Sequence, residues 1–139
     1  MIAAIRARLI EQVPALRLVG GGTEFAALQA PPAQLPAAYV MPWLMSAGAN
    51  NLVAGGFRQR VEETCAVFLF HRNLRDPRGE AAVEELDALI RAVRAALVGF
   101  VPGAGFEQLE TRSGRIFEVE NNVVVWQELF ASATQLRAL

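Results

Sequence analysis

The chain has 139 residues, 53% hydrophobic and 19% charged, with a formal net charge of −1. That length fits one compact domain with a sizeable core, and the near-neutral charge argues against a nonspecific grip on nucleic acid, which comes largely from phosphate neutralisation by Lys and Arg. One Cys and one His exclude an intramolecular disulfide and the Cys/His clusters of structural zinc sites.

No run reaches the roughly 18 apolar residues of a membrane helix. In "MIAAIRARLIEQV", Arg6, Arg8 and Glu11 come too early for the apolar segment of a signal peptide, so the expectation is a soluble cytosolic protein with no membrane partner. Ile2, Ile5, Leu9 and Val13 recur at helical spacing and predict an amphipathic helix over 2–13, ended by Pro14. "ALRLV" is a short strand candidate stopped by Gly20, Gly21 and Gly22. Those glycines lack the Lys-Ser or Lys-Thr of a phosphate loop and the wider spacing of a dinucleotide fingerprint.

Pro31, Pro32, Pro36 and Pro42 forbid a helix interior and favour an extended edge strand at 37–41 after a loop. "MSAGANNLVAGGF" is rich in small residues, so 44–56 reads as a flexible or interface loop. From Arg58 to His71 the chain is rich in strand formers. Val61, Glu63, Cys65, Val67 and Leu69 share one face, and Arg60, Glu62, Thr64, Ala66, Phe68 and Phe70 the other. Both faces begin polar and become apolar. The first half is therefore expected to run past the core, and a strand approaching about 45 Å exceeds what a small domain needs.

"RDPRG" at 75–79 is a turn into a second helix, in which Val83, Leu86, Ile90, Val93 and Leu97 form the apolar stripe and Gly99 and Pro102 the stop. Strands then follow at about 106–112, 115–120 and 122–134, with Ser113-Gly114 and Asn121-Asn122 as turns. The predicted class is α+β, a mostly antiparallel β-sheet with two principal α-helices packed on one face.

The chemical readings are weak. Cys65 and His71 share a strand parity, but six residues set them about 20 Å apart, too far for a nucleophile and base. Both read as structural. Asp76, Glu84, Glu85 and Asp87 surround a helix start, where acids cap and solubilise without a metal. Glu118, Glu120 and Glu128 could supply a carboxylate pair for hydrolysis, though a solvated sheet face explains them as well. Trp43 and Phe57 flank the 44–56 loop outside an obvious core pattern, as interface aromatics do.

The order of features resembles one family over nearly the whole chain: an N-terminal amphipathic helix, "PAAYVMP", a small-residue loop, "QRVEETCAVFLF" with "RNLRDPRG", a long helix, "ALVGFVPG" and "VVVWQELF". It is similar to the tail terminator, or tail completion, proteins of long-tailed phages and prophages, including the lambda-type terminator fold, with 1–139 as a single domain. The resemblance implies a hexameric ring on the tail-tube end remote from the host-contacting tip. That ring stops tube polymerisation and presents the surface to which the head attaches. It implies no enzyme activity and no cofactor. The implied partners are other copies of the chain, the tail tube protein and a head completion or connector protein, with viral DNA passing through without specific binding. The implied location is the virion tail at the head junction, after assembly in the host cytoplasm.

By the same resemblance Gln59, Arg60 and Glu62 fall in the polar start of the long strand, and Asp76 and Gly79 in the turn before the helix. The expected interface comprises Trp43, Leu44, Phe57, Arg58, Gln59, Arg60 and Glu62. A low charged fraction and an overlong strand agree with assembly, since repeating one surface around a ring hides apolar area and strand edges. Arg6, Arg8, Arg58, Arg60 and Arg72 could face DNA in a channel. The alternatives are another head-to-tail connector component, or a non-enzymatic dimeric ligand-binding module whose apolar loop covers a pocket.

Overall fold

A computed structural model describes residues 1–52, 55–72, 80–120 and 122–138, with the side chains of 80–82 excepted. The elements are α1 (Ile2–Gln12), β1 (Leu18–Gly21), α2 (Gly22–Ala26), β2 (Ala37–Ala47), β3 (Phe57–Arg72), α3 (Glu80–Leu97), β4 (Glu110–Glu120) and β5 (Val123–Ala138). The strands form one sheet in the order β1-β2-β3-β5-β4. Only the β1–β2 pair is parallel, and the other three pairs are antiparallel. The class is α+β, with α1 and α3 on one face.

The two faces carry separate cores. On the helix side, Ile5 and Leu9 of α1 and Leu86, Ile90 and Val93 of α3 close over Cys65, Val67 and Leu69 of β3 and Phe130 of β5. Each fully buried aliphatic chain there contributes about 1.5–3 kcal/mol of transfer free energy. Arg8 fastens the helices together: its Nε donates to the Ala96 carbonyl at 2.9 Å, and its guanidinium lies 5.0 Å from the Phe100 ring centre. On the other face Tyr39, Phe68 and Phe70 pack with Val123 and Val125 under Phe25 of α2. The Phe25 and Phe68 ring centres are 4.6 Å apart.

The long strand follows its alternation. β3 pairs with β5 without interruption from Phe57↔Ala138 to Arg72↔Val123. It is buried continuously from Thr64 to His71 and only intermittently before that. Cys65 is fully enclosed, and desolvation pushes its thiol pKa up to about 12. His71 is buried at the strand end, where Nδ1–H donates to the Arg72 carbonyl at 2.8 Å and Nε2 lies 3.6 Å from Glu85. Both residues are structural here.

Several expectations are corrected. The 37–41 segment is the start of an eleven-residue strand paired on both sides over its first four residues, so the 44–56 loop begins only after Ala47 and Leu44 is in strand. Gly20 and Gly21 lie inside β1 instead of stopping it. Ser113 and Gly114 are not a turn. They lie within β4, next to a register shift between Thr111 and Ser113, so one strand from Glu110 to Glu120 replaces those expected at 106–112 and 115–120, and 106–109 are not in strand. Val83 continues the helical period but is 66% exposed, because α3 meets the core from Leu86 onward. The β4–β5 turn does fall at Asn122, which adopts φ 63°, a left-handed conformation Asn tolerates. Asn121, Asp76 and the rest of the 73–79 turn lie outside the described residues.

Candidate assembly surface

The sheet outruns its core at one end. There the last residues of β2, the first of β3 and the last of β5 extend together. Trp43 is 46% exposed, Leu44 63%, Met45 62% and Leu136 52%. Single exposed apolar residues are ordinary, but a cluster of this kind marks a contact surface.

Trp43 is there because of a bulge. The β2–β3 register jumps between Pro42 and Leu44, leaving Trp43 unpaired with its ring 5.8 Å from that of Phe68. A second jump, between Ile116 and Glu118 of β4, leaves Phe117 unpaired with its ring 5.0 Å from the same Phe68. The two bulges set two half-exposed aromatics on either side of one buried ring, on the face away from α1 and α3. Bulges commonly re-aim side chains in this way.

The other expected interface residues are partly engaged within the chain. Phe57 is half-buried where β3 begins. Gln59 Nε2 donates to the Gly48 carbonyl at 2.6 Å, and Arg58 Nε to Asn51 at 3.1 Å. Arg60 donates to Glu107 at 2.9 Å, a bond that raises its pKa further, and Glu62 accepts from Arg112 at 3.0 Å. Gln59, Arg60 and Glu62 thus brace the projecting strands. Trp43, Leu44 and Arg58 remain the more available members.

Three of the five arginines considered for a DNA channel are engaged within the chain. Arg8 is spent on α3, Arg6 lies beside Val19 and Glu24 near β1, and Arg60 is tied to Glu107. Among the described residues no three metal-ligating side chains converge. Asp87 instead pairs with Arg91 at 2.8 Å. No described helix is long and apolar enough to cross a membrane.

The carboxylates considered for hydrolysis separate into different environments. Glu128, 1% exposed, faces the helices and accepts hydrogen bonds from Arg94, Thr111 and Trp126. Glu118 and Glu120 line a cleft of about 310 Å³ on the opposite face, with Phe25, Phe70 and Phe117 among its apolar walls. A hydrogen bond with Glu120 raises the Glu118 pKa, with desolvation and the neighbouring charge adding to it. No described residue of 44–56 lines this cleft.

A family model described as "Phage tail terminator protein" matches residues 2–138. The chain belongs to the phage tail terminator protein family. As a member of it, the chain is a structural protein whose general role is tail completion and whose place is the virion tail. Its fold is also similar to that of a chain in the solved virion of a native gene transfer agent (GTA) particle. The TM-score is 0.54 at 16% identity, over 96% of each chain. No curated protein matches the sequence. Composition alone did not single out Phe117 or Met45 for the exposed surface. Their signal is apolar residues on strands that also carry Ser, Gly and Glu.

Proposed function

We propose that copies of this chain close into a hexameric ring on the end of the tail tube remote from the host-contacting tip. The ring stops tube polymerisation and presents the surface to which the head completion or connector protein attaches. Viral DNA passes through it without specific binding, and assembly takes place in the host cytoplasm. The observation that carries this reading is the end of the sheet beyond the core, where Trp43, Leu44 and Met45 of β2 stand exposed beside the continuously paired β3–β5 ladder. A rigid apolar projection supports association with a neighbouring subunit or with the tube, because covering it removes apolar surface from water without ordering a loop.

The test is negative-stain electron microscopy of tail tubes assembled with and without the folded protein. Rings on one tube end, with tubes held at fixed length, support the reading. Tubes that keep growing uncapped overturn it.

A further inference from the structure

Arg58 and Arg137 are direct cross-strand partners in the β3–β5 register, and both are exposed. Like charges placed opposite one another across a strand pair are destabilising. Among the described residues neither arginine has a carboxylate in salt-bridge contact. Arg58 has only the amide oxygen of Asn51. Leu52, 37% exposed, follows Asn51 in the β2–β3 connection, and its backbone N–H shares the Asn50 side-chain oxygen with that of Arg58.

A second like-charge pair sits on the same sheet face at the opposite end. Glu118 and Glu120 alternate along β4 and both line the apolar cleft. Arg115 on the same strand donates to Gln127 at 2.9 Å instead. Arg72, which β5 separates from β4, makes no ion pair with them among the described residues. The chain cannot bring its own two pairs together: Arg58 and Arg72 are fourteen residues apart along β3, about 45 Å of strand.

We propose that the hairpin end carrying Leu52, Arg58 and Arg137 docks on the Glu118–Glu120 cleft of a second copy of this chain. The contact places two guanidinium groups against two carboxylates and an apolar side chain against an apolar wall. The cleft volume of about 310 Å³ admits a few side chains, not a whole element. Each like-charge pair is unfavourable alone and is relieved by the other. The contact is head-to-tail, since the donor surface and the acceptor surface differ, and such contacts repeat into a ring when the rotation closes. This inference rests on the ring reading and specifies which surfaces meet.

Charge reversal on two separate chains tests it. Arg58→Glu with Arg137→Glu makes both surfaces acidic, and Glu118→Lys with Glu120→Lys makes both basic. Self-association by sedimentation velocity and tube capping by electron microscopy are both read, with circular dichroism confirming folding. Each variant alone is expected to associate at least tenfold more weakly than wild type, and an equimolar mixture to recover association, because alternating copies restore opposite charges at every contact. The chain carrying all four reversals is expected to associate as wild type does, and covers the case in which one double variant fails to fold. Wild-type rings with variants that cap tubes equally well overturn the docking assignment and leave the ring reading intact. Impaired variants that neither mixing nor the fourfold variant rescues also overturn the docking assignment. A wild-type chain that stays monomeric with and without tubes overturns both.

Discussion

Arg94 of α3 and Glu128 of β5 meet between helix and sheet, with Nη2 donating to Oε1 at 2.9 Å, and Glu128 is 1% exposed. Thr111 and Trp126 donate to the same carboxylate, each at 2.9 Å. A charge this deeply enclosed is tolerated because several donors surround it. The group therefore joins α3 to β5 and to the edge strand β4.

Arg94→Met is expected to lower unfolding free energy by about 2–3 kcal/mol. That is below the roughly 3–5 kcal/mol for breaking a fully buried pair, because the Arg94 side chain is 42% exposed and partly screened. Adding Glu128→Met is expected to return part of the loss, since the uncompensated buried carboxylate is then gone. Urea unfolding of both variants checks this. A double variant less stable than Arg94→Met would contradict it.

Gly114 of β4 lies opposite Glu128 of β5 and faces the same carboxylate. A Cβ there would lie 2.6 Å from Glu128 Oε1 and 2.6 Å from the Trp126 ring. Neither can withdraw without losing a hydrogen bond, so Gly114→Ala is expected to cost about 1–3 kcal/mol. It should also shift Trp126 fluorescence. Unchanged stability and emission would show that the network yields freely.

Cys65 makes stability depend on alkaline pH. Its folded-state thiol titrates at about 12, against an ordinary value of 9.0, so the folded chain holds the proton more tightly than the unfolded one. Its contribution is therefore present in full below pH 9 and is lost as pH rises towards 12, at about 1.4 kcal/mol per pH unit. Tyr39, raised first by burial and then by Glu24, adds the same sign. Comparing Cys65→Ala with wild type at pH 8 to 11 isolates the thiol, and equal slopes would refute its share. The native thiol is likewise expected to resist Ellman's reagent until the chain unfolds.

Trp43 and Phe68 touch, yet their losses should differ in kind. Phe68 is 1% exposed among aromatic neighbours, and Phe68→Ala is expected to cost about 3–5 kcal/mol. Trp43, nearly half exposed, is expected to cost under about 1.5 kcal/mol as Trp43→Ala and to impair association instead. Thermal melts with tube-capping counts separate the two. A large melting loss for Trp43→Ala with normal capping would make it a core residue.

Much of the fold is local and was legible. The stripe Ile2, Ile5, Leu9 and the spacing Leu86, Ile90, Val93, Leu97 record helices, because a helix places residues three and four apart on one side. The period-two run ending at His71 records a strand with both faces buried, and its polar start correctly announced the part beyond the core. Asn122 marked its turn through the conformation Asn tolerates. The features behind the family resemblance are of this kind, short-range and in order.

What the sequence by itself determined is thus which segments are helical or extended and which residues seek the interior, since backbone sterics and hydrophobic period act over a few residues. Only the tertiary structure decided that Gly114 lies inside a strand, since what requires glycine there is the approach of Trp126 and Glu128. It also decided that two bulges bring Trp43 and Phe117 to Phe68, and that Arg58 faces Arg137 while Glu118 stands at the far end of the same face. Cross-strand partners are set by register between segments remote in the chain. Such partners leave no period of their own.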